Sequence, residues 1–184
     1  METAEIIKIV LASTVISGII SAIVSYIISV RLKNIDYKNE YYKKILDKRL
    51  DAYQYLENQI AVMKTTVMDD EDGKAYHFVL GKGREGVVEF HRNLLLAMSY
   101  SLWINDKTVK VMEELNQCFY LISLIDNKNE IISRAKRDYH KIAGLRKKLE
   151  KSVKSDLFSL HNLDRFIKEK KHEKLRLFYY KDDS

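Results

Sequence analysis

Ile9 to Val30, IVLASTVISGIISAIVSYIISV, is a run of 22 residues without a charge. A helix rises about 1.5 Å per residue, so about 20 apolar residues cross a hydrocarbon core. The run therefore predicts a transmembrane helix over 9–30. A secretory signal would have a basic start, an apolar core of about 7–15 residues and a small-residue cleavage site. Here METAEIIK sets Glu2 and Glu5 against Lys8, the core is longer, and the chain runs straight into RLKNIDYKNEYYKK. A core helix with no polar face would need a larger soluble body than the 154 residues (184 less 30) that follow.

The flanks predict orientation. Arg31, Lys33, Lys38, Lys43, Lys44, Lys48 and Arg49 follow the run, and Lys8 alone precedes it. Lys and Arg stay on the cytoplasmic side. This predicts a short extracytoplasmic N-terminus over 1–8 and a cytoplasmic C-terminal part. Cys118 is the one cysteine, so no intrachain disulfide forms, in keeping with a reducing compartment.

The part after the span is large enough for one domain with its own core. It has no proline, and its five glycines are Gly73, Gly81, Gly83, Gly86 and Gly144. Strand proteins need turn residues every 8–12 positions or so. The expected fold is all-α: a single transmembrane helix continuing into a cytoplasmic antiparallel helical bundle. Apolar residues at Ile35, Tyr42, Leu46, Leu50, Tyr53, Leu56, Ile60, Met63 and Val67 step mostly by three or four, which predicts helix over 31–67. Its lysines and Tyr37, Tyr41 and Tyr42 suit anionic headgroups as well as a topology signal.

The rest of the bundle is expected over 68–180, with a frayed tail over 181–184. MDDEDG (68–73) ends the first helix. With Gly73 as the sixth loop residue, an EF-hand would start at Met68 and end at Val79. Neither is a carboxylate, so this is an exposed acidic turn. Gly81, Gly83 and Gly86 spell G-x-G-x-x-G, and Val88 extends it to the kinase glycine-loop pattern. No V-A-I-K-type lysine, H-R-D loop or D-F-G follows, and no second strand of a dinucleotide fold does either. The glycines read as a flexible link between a short helix 74–80 and a longer one 86–103. Lys82 and Arg84 in the link are candidate anion-binding residues, because glycine lets backbone amides approach a phosphate.

Val88, Leu94, Leu95, Leu96, Met98, Leu102 and Trp103 mark a central helix. Asn105 and Asp106 are N-cap residues for a helix over 106–125, and DNKN (126–129) is a turn. A last helix begins near Glu130 with its apolar stripe from Ile132 to Leu160. Ser155 and Asp156 mark an expected break, and Leu175, Leu177, Phe178, Tyr179 and Tyr180 are expected to dock on the bundle.

Charge is unevenly spread. Residues 50–129 carry eight basic and twelve acidic side chains, net −4, and residues 130–176 carry fifteen and seven, net +8. Arg134, Arg137, Lys141, Arg146, Lys147, Lys148 and Lys151 are candidates for an anion-binding face toward an acidic protein partner or anionic ligand. Such a run most often marks a solvated helix face, and with Tyr139 the one aromatic among them, a partner surface or plain solvation is favoured over nucleic-acid recognition.

No metal-ligand spacing or catalytic constellation stands out, so no enzyme activity and no cofactor are expected. Arg84…His91, Arg134…His140 and Arg165…His172 have five or six intervening residues. This spacing resembles the R-x4–6-H signature of the helical HEPN ribonucleases, in which arginine and histidine act on the RNA phosphodiester. In that family Asn, Asp or His tends to follow the arginine, whereas Glu85, Ala135 and Phe166 follow here. The leading expectation is a membrane-anchored interaction, regulatory or scaffold module. The alternative is a membrane-active effector of the antiphage or toxin kind whose bundle senses an anionic ligand.

Within the span, Ser13, Ser17, Ser21, Ser25 and Ser29 recur every four residues, beside Thr14, Gly18 and Ala22. Small residues let helices pack closely in lipid. The rows predict homo-oligomerisation through the span.

Overall fold

A computed structural model describes the backbone of residues 2–170 and the side chains of 16–170. In chain order it has α1 (Glu2–Lys64), β1 (Thr66–Met68), β2 (Ala75–His77), α2 (Phe78–Gly81), α3 (Arg84–Ser99), a 3-10 turn (Ser101–Trp103), α4 (Asp106–Ser123), α5 (Lys128–Phe158) and α6 (Leu163–Glu169). The chain divides into two compact units after Lys44.

In the first unit, every described side chain from Ile16 to Tyr41 is exposed. The segment after the apolar run is polar and self-paired. Lys44 meets Glu40 at 3.0 Å one turn back, and the Lys38 ammonium lies 5.1 Å from the Tyr42 ring centre. Such exposed pairs each contribute about 0.3–0.5 kcal/mol to the helix.

The second unit, from Ile45, encloses its own core. Tyr53, Leu56 and Met63 of α1 pack with Val87, Phe90, Leu94 and Met98 of α3, Met112, Leu115 and Phe119 of α4, and Ile131, Ile142, Leu145 and Leu149 of α5. These positions step by three, four, seven or eleven within each helix, so each buries one stripe. Contacts fix the pairing directions. Arg49 reaches Leu160, Tyr53 reaches Asp156 and Lys64 reaches Glu150, so the Ile45–Lys64 part of α1 runs antiparallel to α5. Arg84 meets Asp126, Phe90 packs on Phe119 and His91 bonds Asn116, so α3 and α4 are antiparallel.

Asparagine side chains start three helices, each accepting from a backbone amide that has no partner within its own helix. Asn105 Oδ1 accepts from Lys107 N. Asn127 Oδ1 accepts from Asn129 N and Glu130 N. Asn162 Oδ1 accepts from Arg165 N. Such a cap contributes about 1 kcal/mol.

The fold departs from the sequence reading at five places. It is mostly helical but not wholly so. α1 ends at Lys64, not Val67, because Thr65-Thr66-Val67 are β-branched and favour extended backbone. Thr66–Met68 pairs antiparallel with Ala75–His77, Val67 opposite Tyr76. The acidic turn closes this hairpin, with Gly73 at φ +65° supplying the left-handed residue. The expected helix 74–80 is therefore a strand followed by the single turn α2. The expected helix 86–103 starts at Arg84, stops at Ser99 and tightens into the 3-10 turn. The next helix ends at Ser123, short of 125. α5 does not break at Ser155-Asp156 but runs to Phe158, because Asp156 is bonded sideways to other helices rather than to its own backbone. The docking expected for residues 175–180 and the frayed tail lie outside the described residues.

Candidate functional site

Two features stand out: the apolar part of α1, and a basic cavity within the second unit. Among the described residues one helix, close to the N-terminus, is long and apolar enough to cross a membrane. Ser17, Gly18, Ser21, Ala22, Ser25 and Ser29 are all exposed on it, and a Cβ added at Gly18 would touch nothing. Successive positions four apart advance about 40° around a helix of 3.6 residues per turn. The small residues therefore form a slanted ridge. The side chains of Ser13 and Thr14 lie outside the described residues.

The basic candidates do not form one face. Arg84 pairs with Asp126 at 2.7 Å. Lys82 is exposed, its ammonium 5.8 Å from the Phe78 ring centre. The glycine motif around them is structural. A Cβ on Gly86 would stand 2.3 Å from the Val79 carbonyl oxygen, so α2 and α3 approach closely there. Gly83 holds φ +75° at the α3 N-cap. Two residues, Lys82 and Gly83, separate the helices, so the link is a tight turn.

On α5, Arg134 and Arg137 both bond Asp138. Lys136, which the sequence reading did not single out for the site, grips the hairpin turn through Asp69 at 2.8 Å and Asp72 at 3.1 Å. Its contact holds the Asp69 carboxyl below its usual range. The Lys74 backbone amide, then Lys136, does the same for Asp72. Lys136 is itself raised by Asp69 and Asp72. Lys141 faces Cys118, whose thiol burial pushes up. Arg146 lies toward Glu150 and His77, its Nε buried without a hydrogen-bond partner among the described residues. Lys147 is exposed.

Lys148 and Lys151 are different. They open onto a cavity of about 610 Å³ between α1, α4, α5 and α6. One face of α5 lines it at Lys148, Lys151, Ser152 and Ser155, with Ser159 just past the helix end. Lys107 and Lys110, one turn apart on α4, line it opposite. Arg49 of α1 forms a buried wall with 2% of its surface exposed. The Arg49 guanidinium lies 3.9 Å from the Phe166 ring centre and donates to the Leu160 carbonyl at 3.4 Å. Its Nε is buried with no hydrogen-bond partner among the described residues.

The cavity lining also holds a polar tie. Asp156, itself buried, accepts from the Tyr53 hydroxyl at 2.8 Å and from Thr108 Oγ1 at 3.0 Å, and Thr108 also meets Ser152 at 2.6 Å. Burial first, and then the Asp156 carboxylate, push the Tyr53 hydroxyl far above its usual range, so it stays a neutral donor. At the rim, Lys170 joins Asp106 at 2.6 Å and the Ser101 and Ile104 carbonyls at 2.7 and 2.8 Å. This seats α6 against the start of α4.

Arg49, Lys107, Lys110, Arg165 and Lys170 were not among the sequence candidates for this role. The α5 spacing K-x2-K-S-x2-S-D-x2-S, one helical face of cations and hydroxyls, was the signal available. The arginine–histidine pairs are also placed. Arg84 is on Asp126, while His91 is buried with Nε2 2.6 Å from Asn116 Oδ1. Arg134 is on Asp138, and His140 is exposed. Arg165 bonds Glu169 at 2.8 Å, and His172 lies outside the described residues. Among the described residues, no three His, Cys, Asp or Glu side chains gather as a metal-binding group.

Comparison with known protein families, curated proteins and solved structures finds no match for this chain.

Proposed function

We propose that the chain is a single-pass membrane-anchored helical-bundle protein, with the N-terminal residues outside and the Ile45–Lys170 bundle acting as an interaction or regulatory module in the cytoplasm. The observation that supports this reading is the contrast in exposure along α1. Large apolar side chains from Ile16 to Val30, six isoleucines among them, are uncovered, whereas the second unit buries its own core. Apolar surface of that extent drives association in water, and a bilayer covers it. The basic segment after Val30 supports the orientation. The ridge of small residues supports self-association within the bilayer.

Fractionation tests the anchor. The full chain, expressed in a bacterium, is expected to stay in the membrane pellet through an alkaline carbonate wash. Ile19→Lys with Ile23→Lys adds about 5–7 kcal/mol to the cost of insertion and is expected to release it. A wild-type chain found in the soluble fraction overturns the reading.

The second reading is the membrane-active effector, favoured by the coexistence of a basic cavity and the small-residue ridge. Induced expression separates the two: depolarisation supports the effector, and an unchanged potential supports the interaction module.

A further inference from the structure

The cavity between α1, α4, α5 and α6 is unequal in its charges. Three carboxylates line it, and each has partners: Asp106 with Lys170, Glu169 with Arg165, and Asp156 with Tyr53 and Thr108. Its cations are in excess. The ammonium groups of Lys107, Lys148 and Lys151 have no ion pair or hydrogen bond among the described residues. Arg49 adds a guanidinium almost wholly removed from water. A buried cation is costly unless charge and hydrogen bonds offset it, and within this wall Arg49 has the Phe166 ring, the Tyr53 side chain with its ring centre 5.9 Å away, one long hydrogen bond to a carbonyl and an unbonded Nε, with no carboxylate paired to it among the described residues. An anion entering the cavity would offset that cost.

The size and chemistry narrow the anion. A volume of about 610 Å³ suits a small molecule rather than a single carboxylate; ligand pockets run about 300–1,000 Å³. Separated lysines on α4 and α5 act as point charges across the opening, a pattern that suits phosphate oxygens distributed over more than one group. Ser155 adds a hydroxyl along the same α5 face, whereas the Ser152 hydroxyl is shared with Thr108 and that of Ser159 bonds the Ser155 and Asp156 carbonyls.

We propose that this cavity binds a ligand bearing more than one phosphate group, gripped by Lys107, Lys148 and Lys151 against the Arg49 wall. The ligand is either a soluble polyphosphate compound or the headgroup of a phosphorylated lipid. The site lies wholly within the second unit and stands whether or not α1 lies in a membrane.

Two arms test it on the full chain in phosphatidylcholine nanodiscs at low salt. In the first, inorganic pyrophosphate is titrated calorimetrically. In the second, the thermal midpoint of the bundle, read from Trp103 fluorescence, is compared between these discs and discs containing phosphatidylinositol bisphosphate. Saturable pyrophosphate binding, weakened about tenfold by K148Q/K151Q, as expected for two lost phosphate contacts, assigns the site to a soluble ligand. A midpoint raised by the phosphorylated lipid, and no longer raised in K148Q/K151Q, assigns it to the headgroup. Arg49→Lys, which keeps the charge but not the planar fork, is expected to weaken whichever response is seen. The control R137Q/K147Q removes two cations of the same helix outside the cavity and is expected to leave it unchanged. No response in either arm overturns the site. An equal loss in R137Q/K147Q also overturns it, because the binding would then follow net charge alone.

Discussion

Asp156→Ala should unseat α5 from α1 and α4. The buried carboxylate accepts from Tyr53 at 2.8 Å and Thr108 at 3.0 Å. A hydrogen bond to a charged group is worth about 1.5–3 kcal/mol. Thr108 keeps Ser152 at 2.6 Å, so its share of the loss is small. The Tyr53 hydroxyl is left buried without that acceptor, which costs about 1–3 kcal/mol. The expected loss is about 2–3 kcal/mol in all. For a domain of this size, about 3–5 °C is lost per kcal/mol, a fall of about 6–15 °C in Tm. Asp156→Asn keeps an acceptor for Tyr53 and should lose less than half as much. Thermal unfolding of the full chain in mild detergent, followed by far-ultraviolet circular dichroism and Trp103 fluorescence, reads both variants. A fall in Asp156→Ala no larger than that of the exposed neighbour variant Ser155→Ala would refute the tie.

Two further outcomes are expected. Lys136 holds the hairpin turn through carboxyls kept below their usual range. Their contribution is present above the unfolded carboxyl value of about 4 and is lost as pH falls through the lowered folded values. That of Lys136, which is raised, is lost only above its own folded value. Amide protection of Thr66–Met68 and Ala75–His77, corrected for intrinsic exchange, should therefore drop at acid pH, and Lys136→Met should reduce that drop, the Glu71 and Lys74 amides keeping the rest; unchanged acid loss in the variant contradicts the clamp. In the span, Gly18→Ile with Ser21→Ile keeps the helix apolar but fills the ridge, and the dimer signal in a membrane-reporter assay should fall; an unchanged signal shows that the small residues are not the contact.

Long-period features were legible in the sequence. The uncharged run, the apolar stripes and the caps at Asn105 and DNKN each repeat one signal over many residues or put a specific side chain at a helix start. Short and non-local features were not. Strands of three residues carry too little alternation to be told from a helix end, although Thr65-Thr66-Val67 and Asp72-Gly73 gave local warning. Ser155-Asp156 spells a cap, yet the Asp156 carboxylate is claimed by Tyr53, 103 positions away. The basic stretch of α5 looked like one face because charge counts ignore direction. Helical rotation sends Lys148 and Lys151 to the cavity, and Arg134 and Arg137 to Asp138. Arg49 read as a topology signal, and only tertiary packing turns it into a cavity wall.

Membrane anchoring with a cytoplasmic bundle is tested most directly by paired fusions after Ser184, expressed in a bacterium. One carries a fluorescent protein that matures only in the cytoplasm, the other a phosphatase active only in the periplasm. Membrane-localised fluorescence and an inactive phosphatase are expected. An active phosphatase, or fluorescence spread through the cytosol, would contradict that anchoring.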